Sequence, residues 1–238
     1  MKPADVVFLN PTPSYEWLPY SIQSLEKLGY TRFFCVSSAT SLPAETNQFT
    51  HIRASGLADV APARRQSALL TQLCTVLKGP LLFVDDPVFV VGPYTQKELG
   101  SPPASTTLDR ECVPCVLQRR PGLQRTIDVL RAKGRTLYEF DNGMPWLVDA
   151  DELLNTARAY PGTELKSLHL NLLGNTPTQW TKRAKLYHVG HVKSTDAIAS
   201  YVGPSPVLLA SWRTLSPPLF AYLHKRGLDG TTVSLGAQ

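Results

Sequence analysis

LLFVDDPVFVVGP, residues Leu81–Pro93, is an apolar run broken by two adjacent carboxylates and resumed across a proline. Its first part has the length and the branched and aromatic content of a strand buried on both faces. Gly79-Pro80 ends a helix just before it and delivers the chain into the strand. Pro87 then biases Asp86 away from helical backbone angles. The chain therefore leaves the strand Pro80–Val84 extended, and Asp85 and Asp86 project at its carboxyl end.

Working outward, the upstream chain alternates strand and helix. Asp5–Leu9 (DVVFL) reads as a buried strand. Leu18, Ile22, Leu25 and Leu28 recur at helical spacing, with Pro19 suited to a first turn and Gly29 to a C-terminal cap. A strand is expected at Arg32–Ser37 and a short element at His51-Ile52. After Pro62 an amphipathic helix carries Leu69, Leu70, Leu73, Cys74 and Leu77 on one face. Such alternation predicts an α/β chain with a mostly parallel, Rossmann-like central sheet flanked by helices, folded as a single domain. Ligands of such sheets bind beyond the carboxyl ends of strands, where Asp85 and Asp86 lie.

Downstream, residues 100–122 (SPPASTT, CVPC, RRPG) lack apolar periodicity and read as a loop or lid. It would divide a first half, residues 1–99, from a second half, residues 123–238, of the same domain. In the second half the pattern predicts helices at Leu123–Ala132, Asp149–Ala159, Glu164–Leu173, after Ser194 and through Phe220 and Leu223. Strands are expected at Thr136–Phe140, Ala184–Val189 and Val207–Ala210.

With 238 residues of which 43% are apolar, the chain can bury an ordinary core, which excludes a disordered class. The N-terminal apolar run is too short for a secretory segment or a membrane span, so a soluble, cytoplasmic protein with no membrane partner is expected. Cys35 and Cys74 fall on apolar periodic segments and read as core. Cys112 and Cys115 have CxxC spacing, but no second ligand pair at matching spacing accompanies them. A net charge of +5 favours a polyanionic partner without requiring one.

Adjacent carboxylates on an extended backbone point different ways, so one site takes one of them directly and the other through water or a second ligand. Mn²⁺ or Mg²⁺ suits that arrangement, because hard oxygen ligands are preferred and bound phosphates complete the shell. The same pair could instead end a strand and cap a turn.

Three segments carry a resemblance that bears on this choice. They are LPYSIQSLEKLGYTRFFCVS (Leu18–Ser37), FVDDPVFVVGP (Phe83–Pro93) and EFDNGMPWLVDADEL (Glu139–Leu153). In these, over roughly residues 4–195, the chain resembles the GT-A-fold glycosyltransferase-like proteins of tailed bacteriophages, distantly related to the Stealth sugar-phosphate transferases. Val84 and Pro87 depart from that pattern beside the Asp pair. Gly143 stands where the family usually has His.

The resemblance implies a GT-A-like fold and a metal-dependent glycosyltransferase that moves a sugar from a nucleotide-diphosphate sugar to an acceptor hydroxyl. Asp86, assisted by Asp85, would hold the metal, with His188 and His191 as further ligands. Asn10, Arg64, Arg65 and Gln66, with Asp85, would meet the donor. Asp141, ahead of Glu139, would be the general base of an inverting reaction. The phage setting, which would put the protein in the host cytoplasm, implies double-stranded DNA with hydroxymethylated pyrimidines as one acceptor. Arg119, Arg120, Lys182, Arg183 and Lys185 could then grip phosphates, and Trp180 and Trp212 could stack on a base. Transfer of a sugar phosphate to a polysaccharide, and a non-catalytic nucleotide- or sugar-binding module, are the alternatives. Solvated surface accounts equally well for each basic cluster taken alone.

Overall fold

The computed structural model describes residues 4–9, 16–37, 49–54, 60, 62–85, 87–100, 104–107, 121–135, 138–140, 145–174, 183–186 and 189–231. In chain order its elements begin with β1 (Asp5–Leu9), α1 (Leu18–Glu26), β2 (Phe33–Ser37), β3 (Thr50–Arg53), α2 (Pro62–Val76) and β4 (Pro80–Val84). Next come β5 (Val88–Val90), α3 (Gln96–Gly100), β6 (Ala104–Thr107), α4 (Pro121–Ala132), β7 (Tyr138–Phe140) and β8 (Trp146–Asp149). The last group is α5 (Ala150–Ala159), α6 (Leu165–Leu172), β9 (Arg183–Leu186), α7 (Thr195–Val202), β10 (Val207–Ala210) and α8 (Pro217–Lys225). Short 3₁₀ turns occupy Val189–Val192 and Trp212–Thr214.

The main sheet runs β3-β2-β1-β4-β8. Its first four strands are parallel, with Val6 opposite both Phe33 and Leu82 and Phe34 opposite Thr50. The edge strand β8 is antiparallel, placing Trp146 opposite Phe83. The chain is thus α/β, with a mostly parallel sheet flanked by helices, as the strand–helix alternation predicts.

Every residue of β1 is buried, and alternation divides them between two cores. Val6 and Phe8 join Leu18, Ile22 and Leu25 of α1 on one face, while Val7 and Leu9 join Leu69, Leu70 and Leu73 of α2 on the other. That two-sided burial is why the sequence shows continuous apolar runs rather than alternating ones. Cys35 and Cys74 lie fully buried, one in each core, and burial pushes both thiols up to about 12.

The apolar segment after Pro87 does not continue the main sheet. It becomes β5 of a second sheet, β5-β10-β9, with Val90 antiparallel to Val207 and β10 parallel to β9. Two hydrogen bonds fix the crossing. The Ser21 hydroxyl of α1 donates to the Val88 carbonyl at 2.7 Å, and the Ala210 amide donates to the Pro87 carbonyl at 2.9 Å. The first core runs on without a break into this sheet through Val88, Phe89 and Leu208.

Several details differ from the pattern reading. Residues 104–107, inside the expected loop, form β6 and pair antiparallel with β7, because Ser and Thr can satisfy a backbone ladder without an apolar signature. Pro121 and Gly122 belong to α4 rather than to the loop. The strand expected to Val189 is described as far as Leu186, and Val189 opens a 3₁₀ turn. No helix among the described residues is long and apolar enough to cross a membrane.

The small β6–β7 sheet is tied to α6 by one side chain. Asn171, 3% exposed, accepts from the Tyr138 amide at 2.9 Å and donates to the Tyr138 and Ser167 carbonyls at 2.7 Å. Asn171→Leu keeps the volume and strips Tyr138 of both partners. We expect it to lower stability by roughly 1–3 kcal/mol. Urea unfolding of the two proteins checks this, and an unchanged midpoint would show that the bridge carries no weight.

Candidate functional site

Asp85 stands directly after β4, where the chain passes from one sheet to the other. Its carboxylate is largely enclosed, with 17% of the side chain exposed. Lys166 and Gln66, from different helices, face it. Lys166 of α6 brings its Nζ to 3.7 Å from Oδ2, and Gln66 in the first turns of α2 places its amide 3.5 Å from Oδ1. The Gln66 contact is at the limit of a hydrogen bond, and the lysine, beyond that limit, meets Asp85 as an ion pair.

Lys166 is itself 3% exposed. An ammonium is kept charged in such a place only by counter-charge and polarisable neighbours. Asp85 supplies the first, and the indole of Trp146 supplies the second, its centroid 5.6 Å from Nζ. Because β8 runs antiparallel to β4, Trp146 enters that edge strand at the carboxyl end of β4. There its ring packs on Phe83, with centroids 5.2 Å apart. Trp146 Nε1 is buried without a hydrogen-bond acceptor among the described residues.

Of the residues singled out in the sequence, the structure brings Gln66 and Asp85 together. Arg65 turns instead to its own helix start, where Nε donates to the Val60 carbonyl at 2.9 Å. His191 sits in the 3₁₀ turn after β9 with its ring stacked 3.9 Å from that of Tyr201. Lys185 is half-buried in β9, opposite Leu209. Arg64, Glu139, Arg183 and Trp212 are placed by backbone alone, in α2, β7, β9 and the 3₁₀ turn Trp212–Thr214. Asn10, Asp86, Cys112, Cys115, Arg119, Arg120, Asp141, Trp180, Lys182 and His188 lie outside the described residues. No group of three His, Cys, Asp or Glu side chains forms a metal cluster among the described residues.

Lys166 and Trp146 are the site residues that pattern reading passes over. In LKSLHLNL the lysine reads as the wet side of an amphipathic helix, and only the packing assigns it. Every residue of α6 from Leu165 to Asn171 is buried, and a helix enclosed all round must find a partner for each polar side chain it carries.

A cleft of about 250 Å³ opens beside this site, between the first half of α2 and the α5–α6 turn. Ser67, Thr71, Tyr160, Thr163 and Leu165 are among the residues that line it. Ser67 follows Gln66, and Leu165 precedes Lys166, so the wall of the cleft and the charged pair share two backbone segments. The lining offers hydroxyls and apolar surface rather than charge, which suits binding more than proton transfer.

His169, one turn beyond Lys166, is 2% exposed. The Thr156 hydroxyl donates to the Glu152 carbonyl at 3.0 Å and stands 2.8 Å from His169 Nδ1. The threonine proton is thus already committed, so Nδ1–H donates and Nε2 carries the lone pair. Nε2 is buried without a partner among the described residues, and a proton there would have no acceptor. Burial accordingly pushes His169 down to about 4, against a smaller upward pull from the Asp149 charge.

The unfolded chain therefore takes up this proton near pH 6.5 and the folded one only near pH 4. The stabilisation is complete above pH 6.5 and is lost as pH falls through that window, on the order of 3 kcal/mol in all. We expect His169→Gln to flatten the dependence of unfolding free energy on pH between these values. Urea midpoints at pH 7 and pH 4.5 measure it, and parallel losses in both proteins would remove His169 as the cause.

The chain matches no family model and no curated protein.

Proposed function

We propose that this chain is a glycosyltransferase that moves a sugar from a nucleotide-diphosphate sugar to an acceptor hydroxyl with the help of Mn²⁺ or Mg²⁺. The observation that carries the reading is Asp85. It is a nearly enclosed carboxylate at the carboxyl end of a strand in a mostly parallel sheet, paired with a buried cation at the point where the chain changes sheets. Such rims are where α/β sheets bind phosphorylated ligands. The sheet order is compatible with a Rossmann-like nucleotide-binding fold, and the finer GT-A assignment, with its kinship to phage glycosyltransferase-like proteins, belongs to this proposal.

A single described carboxylate is an incomplete shell for a hard divalent cation. A cation there would rest chiefly on phosphate oxygens and water, with Asp86 next in the sequence. A cation so bound would offset charge on the departing diphosphate. Within the chain itself, Lys166 steadies Asp85, and Gln66 orients the second carboxylate oxygen. Asp141, or Glu139, takes the acceptor proton. The cleft beside α2 accepts part of the nucleoside through hydroxyl contacts and apolar surface. The positive net charge extends the proposal to a polyanionic acceptor, for which hydroxymethylated DNA in the cytoplasm of a phage host is the leading candidate.

Thermal melting with a panel of nucleotide sugars, with and without Mn²⁺, tests the donor site. One nucleotide class should raise the melting temperature of the wild type only when metal is present, and Asp86→Ala should abolish the shift. The absence of any shift would sink the nucleotide-sugar reading. A shift without sugar transfer or donor hydrolysis would instead mark a non-catalytic binding module. Gel retardation of hydroxymethylated DNA across a salt series separates a DNA acceptor, whose binding weakens steeply with salt, from a neutral polysaccharide.

A further inference from the structure

Three hydroxyls stand in the wall of the cleft beside α2, and each has its proton already committed. Ser67 Oγ donates to the Thr163 carbonyl at 3.2 Å, Thr71 Oγ1 to the Ser67 carbonyl at 2.8 Å, and Thr163 Oγ1 to the Tyr160 carbonyl at 2.8 Å. A hydroxyl carries one proton and two lone pairs, so these oxygens have only lone pairs left to offer a ligand. The Ser67 bond also ties α2 to the α5–α6 turn, and Thr163 is 6% exposed, so neither hydroxyl turns round without loosening the wall. Tyr160 adds a phenol to the lining. The rest is apolar, Ala68 and Leu165 included, and no charged side chain lines the cleft among the described residues.

At about 250 Å³ the cleft lies below the roughly 300–1,000 Å³ of sites that enclose drug-sized ligands. It has room for one ring system and not for a whole nucleotide sugar. A nucleobase is flat and apolar on its faces, which suits such walls, and bases differ in what one edge presents. Adenine and cytosine carry an amino group there, a donor, where guanine and thymine carry a carbonyl oxygen, an acceptor. A carbonyl oxygen set against Ser67, Thr71 and Thr163 would exchange water for a row of lone pairs and lose its hydrogen bond. An amino group finds acceptors already in place.

Resting on the reading that this cleft takes the nucleoside, we propose that Ser67, Thr71 and Thr163 make it selective for an amino-bearing base, adenine or cytosine, over the keto base of the same shape. The three residues determine specificity and take no part in the chemistry at Asp85.

Isothermal titration with two near-isosteric pairs tests this: ADP against inosine diphosphate, and CDP against UDP, all with Mn²⁺ present. Free adenosine and cytidine are titrated without metal. In at least one pair the amino nucleotide should bind about tenfold or more tightly than its keto partner, the worth of one well-placed hydrogen bond. Thr71→Val keeps the shape of the side chain, removes its oxygen and should move that ratio towards unity. Ser67→Ala should act in the same direction and supplies the comparison if Thr71→Val fails to fold. Thr71→Ser, which keeps the oxygen, should keep the ratio. A merely structural role would weaken both members of a pair alike and leave their ratio where it was.

Keto nucleotides that bind as tightly as their amino partners in both pairs would overturn the selectivity and leave the donor-site reading standing. A wild-type ratio that survives both Thr71→Val and Ser67→Ala would overturn its assignment to these hydroxyls. Adenosine or cytidine that binds without metal, where no diphosphate binds with it, would support the amino-base cleft and sink the metal–diphosphate reading. Protein that binds none of these ligands would overturn both.

Discussion

Burying an ammonium group constrains everything around it. Lys166 is tolerated inside the protein because Asp85 lies within reach at the end of β4 and because an indole face covers it. Each of those partners comes from a different part of the chain, so the ion pair joins the tip of a central strand, the antiparallel edge strand and a helix. The pair is expensive to assemble in a medium of low polarity, and removing one member leaves the other uncompensated. Position in the fold therefore matters more here than any net gain in stability.

The same helix repeats that logic three times. Enclosed along its length, α6 places Lys166 against Asp85, His169 against Thr156, and Asn171 against the backbone of Tyr138. Each polar group is anchored to a different neighbour, so the register of α6 against the sheet admits little slippage. A shift by one residue would leave an ion, an imidazole and an amide facing apolar walls. The helix acts as a jig that holds one charged atom near the tip of β4.

Much of this architecture is legible in the sequence. β1, β4 and β10 coincide with their apolar runs, and α1 and α2 track their leucine spacing, because burial on two faces leaves a dense and unmistakable pattern. Asp149 at the start of α5 accepts from the amides of Asp151 and Glu152, as an acidic residue placed there suggests. The second sheet is another matter. Val88–Val90 carries the same residue types as β4, and nothing local says that it pairs with Val207–Leu209 rather than continuing beside β1. The same limit applies to β6, whose Ser and Thr residues look like loop, and to α3, too short for periodicity to register. At the site, Asp85 announces itself by interrupting an apolar run. Lys166 does not, because a single lysine among leucines looks like the wet side of an amphipathic helix until the packing closes around it.

The two buried thiols have a use beyond the core. Cys35 belongs to the cluster beneath α1 and the second sheet, and Cys74 to the cluster between α2 and α5. Neither thiol is accessible, and both are held far from the reactive thiolate form. Alkylation at either position must wait for its own side of the sheet to part. The chain thus carries two internal clocks, one per layer, and mass-resolved labelling of each would time the opening of the α1 layer separately from that of the α2 layer.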